Sequence, residues 1–219
     1  SGFTKISVSA WVMMESMADD YRGIVTCMDS DGWNEGFGLS FDNEGSGELS
    51  FWIDNAKIIA GERGPAVAIA SLSTGQWYHL VGTYDGTYQR LYIDGVSQPH
   101  SGSNPSVSWD AKAASDKPIH IGAGMAADGT TASYFFDGKI RDVRIWKDFA
   151  LSDDQVVSLY RGSYNSTPTL GYKLDEASGN AIGWGTTATT GTVNGPTLTT
   201  TGTLKVNGAA RVLTNGSVL

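Results

Sequence analysis

The chain has a single cysteine among 219 residues, and long apolar runs are missing as well. A lone thiol, Cys27, excludes an intramolecular disulfide. Its neighbours in Ile24-Val25-Thr26-Cys27-Met28 are typical of a strand, so we interpret the thiol as a small apolar core residue. No apolar run reaches the roughly 18 residues that span a membrane. Membrane insertion is therefore not expected.

Positive charge is scarce. There are 15 Lys and Arg residues against 23 Asp and Glu, which gives a formal net charge of −8. An acidic surface repels phosphate backbones, so no nucleic-acid partner is expected. The same charge is compatible with calcium, which carboxylates bind, although acidic surfaces also serve simply to keep proteins in solution.

Patterns that carry catalysis are missing too. A retaining glycosidase places two carboxylates about 5 Å apart, commonly on alternate residues of one strand, and no Glu-x-Asp-x-Glu pattern lies on a predicted strand. The histidines His79, His100 and His120 are isolated, without the spacing of a zinc site. We therefore predict that the chain is not an enzyme, and we interpret His79 as a residue that satisfies a hydrogen bond in the core.

Glycine and short alternating segments are abundant. The 28 glycines and other turn residues separate runs in which apolar and polar residues alternate, as in half-buried strands. Near the start, Ile6, Val8 and Ala10 share one face, and residues 77–93 form a predicted hairpin through Asp85-Gly86-Thr87. In residues 139–146 the same alternation puts Asp142 and Arg144 on one face, where they are expected to pair.

One helix is well signalled. Ser152 is a predicted N-cap, and Gln155 three residues later completes a capping box. Leu151 and Val156 are spaced to form a hydrophobic staple across the helix start. Gly162 occupies the position where a left-handed residue ends a helix. We expect a helix of two to three turns.

The composition changes after residue 163. Residues 164–219 are rich in Thr and Gly, but Leu170-Gly171-Tyr172-Lys173-Leu174 and Leu204-Lys205-Val206 still alternate like strands. We predict a β-sandwich over residues 1–163 and a C-terminal extension over residues 164–219. This extension adds an edge strand to the sandwich, begins a truncated second repeat, or docks on a neighbouring subunit.

Four ordered segments resemble the concanavalin A-like jelly roll in its laminin-G-like and pentraxin-like branch. They are Ile6-Ser7-Val8-Ser9-Ala10-Trp11-Val12; residues 72–86 with Arg90-Leu91-Tyr92-Ile93-Asp94-Gly95; Pro118-Ile119-His120-Ile121-Gly122; and residues 136–146 leading into the helix. The resemblance covers roughly residues 3–162. It implies an all-β, two-sheet antiparallel jelly-roll sandwich with one short helix.

The resemblance also implies where calcium would bind. Pentraxin-like relatives hold calcium with side chains from the loop that matches residues 29–35 and from the loop after Ile-x-Ile-Gly. The matching candidates here are Asp31, Asn34 and Asp128. The second loop has only Asp128 where the family has several oxygen ligands. The alternative is that these residues simply form turns.

Aromatic residues in polar turns are the candidates for sugar binding, because sugar C–H faces pack on rings while hydroxyls take hydrogen bonds. Trp33, with Asn34 beside it, lies in Asp31-Gly32-Trp33-Asn34-Glu35; Trp109 and Tyr134 are the other candidates. The alternative is that these rings cover the ends of the sheets.

We therefore expect a non-catalytic binding or adhesion domain that recognises a glycan through its rim loops, with calcium as a candidate cofactor, acting extracellularly or on a virion surface. The alternative is a structural virion component, such as a phage decoration or fibre protein, whose residues 206–219 are buried at a subunit contact. In that case the partner is a second copy or another component of the assembly.

Overall fold

The structure is a computed structural model that describes residues 4–16, 22–28, 35–42, 48–55, 66–68, 72–99, 118–126, 131–174, 181–187, 190–193, 197–199, 203–207 and 213–214. Eighteen strands and one helix lie in these ranges. The strands are β1 (Ile6–Met14), β2 (Arg22–Met28), β3 (Glu35–Asp42), β4 (Glu48–Asn55), β5 (Ala66–Ala68), β6 (Trp77–Tyr84), β7 (Gln89–Ile93), β8 (Val96–Ser97), β9 (Ile119–Ile121), β10 (Gly124–Met125), β11 (Ala132–Ser133), β12 (Asp137–Lys147), β13 (Leu170–Tyr172), β14 (Gly183–Trp184), β15 (Thr192–Val193), β16 (Thr197–Thr199), β17 (Thr203–Asn207) and β18 (Leu213–Thr214).

Two antiparallel sheets form the body of the fold, as the sequence predicts. The larger sheet runs in the order β14-β13-β12-β1-β6-β7-β8, with β17 also on β12 and β16 on β17, and the smaller runs β5-β4-β3-β2-β9. The alternation in β1 explains the core between them, because Ile6, Val8 and Ala10 are fully buried in one apolar cluster with Phe37 and Phe51 of the smaller sheet. This arrangement is the predicted jelly-roll sandwich.

The predicted hairpin is present as β6 and β7. These strands pair from Leu80 with Ile93 to Tyr84 with Gln89. The turn at its tip is fixed by Asp85, whose Oδ1 accepts hydrogen bonds from the amides of Thr87 and Tyr88. An Asp side chain that bonds the backbone ahead of it stabilises a tight turn.

Strand β12 departs from the predicted alternation. The register between β1 and β12 shifts between Ser9 and Trp11, and Asp142 has a φ of +48°. This bulge inserts an extra residue, so Ile140 and Val143 both face the core, whereas the alternation had put them on opposite faces. The expected ion pair is confirmed, since Arg144 donates two hydrogen bonds to Asp142 at 2.9 and 2.8 Å.

The predicted helix is confirmed as α1 (Asp153–Tyr160), which packs on the outer face of the larger sheet. The amide of Gln155 donates to Ser152 Oγ at 3.4 Å, and the amide of Ser152 donates to Gln155 Oε1 at 2.9 Å. Gly162 follows with a φ of +73°. Across the described residues, no helix is long and apolar enough to cross a membrane.

Segments after residue 163 pair with β12. Strand β13 pairs with Val143 to Ile145, and β17 pairs with Asp137 to Ile140, both antiparallel. Leu170 and Tyr172 of β13 are buried in the main core. The division into residues 1–163 and 164–219 stays a prediction.

Candidate functional site

Most of the predicted site residues lie outside the described residues. These are Asp31, Trp33, Asn34, Trp109 and Asp128. Tyr134 is described, and it lies against the outer face of the smaller sheet, where its ring packs on Met28 and Trp52. Met28 is the last residue of β2. The segment that contains Trp33 and Asn34 follows this strand in the chain.

The backbone of Tyr134 is in an unusual conformation. Its φ is +53°, in the left-handed region that a bulky side chain adopts at a cost of about 1–3 kcal/mol. The amide of Gly23 donates a hydrogen bond of 2.9 Å to its carbonyl, and Phe135 forms a parallel bridge with Gly23. These contacts hold the half-buried ring of Tyr134 in one place beside the sheet.

The indole ring of Trp52 packs beside Tyr134 in the same apolar cluster. Its indole lies directly on the backbone of Gly38, where an added Cβ would be only 2.4 Å from the ring. The indole Nε1 donates to Ser40 Oγ at 3.0 Å. A glycine is therefore required at position 38, because any side chain would displace the ring.

Polar groups without partners lie on the same outer face. Thr26 pairs with both His120 and Gly38, and Ser50 pairs with Ser40, so these side chains share the face of Trp52. Ser50 Oγ and His120 Nδ1 are buried and have no hydrogen-bond partner in the described part of the chain. Burial also lowers the pKa of His120 to about 4, so its imidazole is neutral at pH 7.

We name this surface the Tyr134 face, and its members are Thr26, Ser40, Ser50, Trp52, His120 and Tyr134. It joins two rings to a neutral imidazole and a hydroxyl, of which His120 Nδ1 and Ser50 Oγ have no partner among the residues that the structure describes. Buried polar groups are normally hydrogen-bonded, so unmatched ones point to an additional partner. Sequence reasoning missed Trp52 and His120, although both stand at polar-face positions of alternating strands.

His79 belongs to the other sheet, and the prediction that it satisfies a core hydrogen bond is not met at Nδ1 of its ring. Nδ1 is buried without a partner among the described residues. The residue is held by its backbone instead, because its amide donates to Asp94 Oδ1 at 2.8 Å. Its ring packs against those of Trp11 and Tyr160, at centroid distances of 5.1 and 6.0 Å.

A cavity of about 560 Å³ at the start of α1 brings several carboxylates together. It is lined by Asp85, Arg90, Tyr92, Ala150, Leu151, Ser152, Asp153 and Asp154. Burial favours the neutral carboxyl of Asp85, but hydrogen bonds from Arg90, Tyr88 and Thr87 outweigh it and hold its pKa below the usual range. A general acid needs the opposite shift.

The neighbouring carboxylate in this cavity is also engaged. Asp153 Oδ1 accepts a hydrogen bond of 2.7 Å from the hydroxyl of Tyr92. Burial and this bond both raise the pKa of Tyr92, which keeps the phenol protonated. Among the described residues no group of three or more His, Cys, Asp or Glu side chains is placed to hold a metal ion.

Comparison with known proteins identifies the family. A family model described as the concanavalin A-like lectin/glucanases superfamily, laminin-G type, matches residues 2–157. A search of curated proteins found no match.

Three solved structures illustrate the shared fold. One is a heptameric SAP-like pentraxin from Limulus polyphemus, 18% identical, covering 73% of this chain and 70% of that chain with a TM-score of 0.54. Another is the CBM40 of a Ruminococcus gnavus sialidase bound to α2,3-sialyllactose, 14% identical, covering 73% and 84% with a TM-score of 0.51. The third, from Bacteroides ovatus, is provisionally named a carbohydrate-binding protein; it is 18% identical, with coverage of 97% and 56% and a TM-score of 0.56. At these identities the likeness shows the fold alone.

Proposed function

This chain belongs to the concanavalin A-like lectin/glucanases superfamily, and we propose that within it the chain is a non-catalytic domain that binds carbohydrate. The Tyr134 face and the rim loops beside it form the binding site in this proposal. Carbohydrate-binding structures that share the fold support the class of ligand.

The observation that carries the proposal is the geometry at Tyr134. A half-buried ring is held on a left-handed backbone next to Trp52, and on the same face lie the buried Ser50 Oγ and His120 Nδ1, which have no hydrogen-bond partner in the described ranges. A sugar has the matching chemistry, because its C–H face packs on a ring and its hydroxyls donate and accept hydrogen bonds. Local strain of this kind is characteristic of functional sites.

The arrangement of carboxylates supports binding without catalysis. Of the carboxylates around the cavity at α1, Asp85 is committed to Arg90 and to its own turn, and Asp153 is committed to Tyr92. Glycoside hydrolysis needs one carboxylic acid with a raised pKa facing a second carboxylate. Asp85 has its pKa shifted in the other direction.

The rim residues complete the proposal. Trp33 and Asn34 would extend the surface that contacts the sugar, Trp109 would add a further ring, and Asp31, Asn34 and Asp128 would hold calcium through hard oxygen ligands. The domain would act outside the cell, where glycans are displayed. Titration of CaCl₂ into the wild type and into Asp128→Asn tests the ion: binding heat lost in the variant supports it, and equal heats contradict it.

Assembly through the C-terminal segment is the competing function. In its favour, β16, which pairs with β17, is a short strand on the edge of the larger sheet. Against it, β17 already pairs along Asp137 to Ile140 of its own chain. The intramolecular pairing supports a self-contained binding domain.

A glycan microarray followed by calorimetric titration of the strongest ligand tests the proposal. Tyr134→Asn removes the ring while keeping a residue that tolerates positive φ. We expect binding about tenfold weaker or worse, since central aromatic residues contribute about 1.4 kcal/mol or more to an interface.

The matched control is Tyr88→Asn, because Tyr88 is 43% exposed in the turn of the opposite sheet. This variant is expected to bind as the wild type does. Equal affinity for Tyr134→Asn and the wild type, or no signal from any glycan, would contradict the proposal. Release of reducing sugar from the bound glycan would contradict its non-catalytic part.

A further inference from the structure

A second surface lies on the outer face of the larger sheet, where α1 stops covering it. The helix buries Val81, Tyr92 and Trp146 on that face. At its last residue, Tyr160, the ring stacks against Trp11 at a centroid distance of 5.8 Å. Beyond that point the outward side chains of β1, β6 and β12 are no longer beneath the helix.

The register of the three strands brings an arginine and two tryptophans together there. Trp11 pairs with Arg141 on one side and with His79 on the other, and Trp77 stands one outward position further along β6. The guanidinium carbon of Arg141 lies 4.4 Å from the ring centroid of Trp77 and 5.3 Å from that of Trp11. We name Trp11, Trp77, Arg141 and Tyr160 the Arg141 platform.

Arg141 is the cation of this platform, and its charge is not engaged in an ion pair with another described residue. Among the described residues, ion pairs engage Arg22, Arg90, Lys139 and Arg144 but not Arg141. Arg141 is also exposed, and Tyr160 is 37% exposed. Within the part of the chain that the structure describes, the side chain therefore presents a positive charge without an ion-pair partner, on a chain whose net charge is −8.

Stacking determines what this charge can bind. The guanidinium carbon lies over both indole rings, and the N–H donors of a guanidinium lie in the plane of the group, directed away from its flat faces. Donors in that plane match the two oxygens of a carboxylate bidentately, a geometry that lysine cannot reproduce. The adjacent carboxylate, Asp142, is paired with Arg144, and charges farther away are screened over about 8 Å at physiological ionic strength.

We propose that the Arg141 platform is a second carbohydrate site, specific for a sugar that carries a carboxylate, such as a uronic acid. The carboxylate binds the edge of Arg141, while the exposed parts of Trp11, Trp77 and Tyr160 receive the apolar face of the sugar. The assignment of a sugar, rather than another acid, rests on the proposed function; the position of the site does not depend on the Tyr134 face.

Calorimetric titration of the full chain with tri-galacturonic acid tests the site. The methyl ester of the same trisaccharide is the matched ligand, because it keeps the rings and removes the charge. We expect the acid to bind and the ester to bind about ten- to a hundredfold more weakly, since a charge-assisted hydrogen bond is roughly twice as strong as a neutral one and this one is doubled.

Variants of the arginine supply the second arm. Arg141→Gln is expected to weaken binding of the acid by about the same factor, and Arg141→Lys to recover little of it. Arg90→Gln removes an equal charge from the same sheet, outside the platform, and is expected to leave binding unchanged. If Arg141→Gln does not fold, the comparison of acid and ester on the wild type still decides the matter.

Several results would overturn the proposal: no binding of the acid, equal binding of acid and ester, or wild-type affinity in Arg141→Gln. Equal affinity for a tri-glutamate peptide would overturn the assignment of a sugar. Binding of the acid that is lost in Tyr134→Asn but kept in Arg141→Gln would place it on the other face and also overturn the site. Failure of the proposed function is separable, because it appears as microarray binding by Tyr134→Asn that equals that of the wild type.

Discussion

Replacement of Gly38 by alanine is expected to destabilise the protein through Trp52. The new methyl group would lie 2.4 Å from the indole, so the ring must move and give up its 3.0 Å hydrogen bond to Ser40. Overpacking costs about 1–3 kcal/mol, and the lost bond costs about 1 kcal/mol. Alanine recovers about 0.5–1 kcal/mol of the entropy that glycine loses in a strand. The net loss expected for Gly38→Ala is about 2 kcal/mol.

Urea denaturation of four proteins measures this coupling: the wild type, Gly38→Ala, Trp52→Leu and the double variant. A leucine at position 52 does not extend over residue 38 as the indole does, so Gly38→Ala in that background should be neutral or slightly stabilising. The coupling energy expected from the cycle is therefore about 2 kcal/mol. An equal cost of Gly38→Ala in both backgrounds would refute the contact as the reason for the glycine.

Three further predictions concern stability. Burial lowers the pKa of both His79 and His120 to about 4. The unfolded chain therefore takes up these protons near pH 6.5, whereas the folded chain does not. The free energy of unfolding should fall as the pH drops from 6.5 towards 4, by about 1.4 kcal/mol per pH unit for each histidine. His79→Gln should halve that slope in urea titrations at pH 7, 6 and 5, and an unchanged slope would argue against its burial. Ser152→Ala should cost about 1 kcal/mol and lower the melting temperature by about 2–4 °C, whereas an unaltered melting curve would mean that the cap contributes nothing. Asp142→Gly should be less destabilising than Asp142→Ala by about 1 kcal/mol, because only alanine is strained at a φ of +48°; both variants lose the pair with Arg144, so the reverse order in chemical denaturation would contradict backbone strain at this position.

Local signals in the sequence predict much of the fold. The capping box at Ser152 and Gln155 and the hairpin around Asp85 each depend on residues only a few positions apart, and the structure contains both. The alternation in β1 gives the buried face correctly. The bulge at Asp142 could not be predicted in this way, because an extra residue in a strand leaves no mark in an alternating pattern until its partner strand is known.

The surfaces proposed for binding depend on distant residues. Trp52 comes to lie beside Tyr134 because β4 and the segment after β11 meet on one face of the smaller sheet. Trp11, Trp77 and Arg141 meet only through the register of three strands. Each of these residues stands at an outward position of its strand, which is a detectable signal, but the sequence alone does not reveal which outward positions become neighbours.

The central claim is that carbohydrate binds at the Tyr134 face and is released without being cleaved. Two-dimensional ¹H–¹⁵N spectra of the indole and imidazole groups, recorded during titration with the strongest microarray glycan that carries no carboxylate, test it directly. We predict that the signals of Trp52 and His120 shift, that those of Trp11 and Trp77 stay in place, and that the glycan is recovered intact. Shifts confined to Trp11 and Trp77, or a cleaved glycan, would contradict the account.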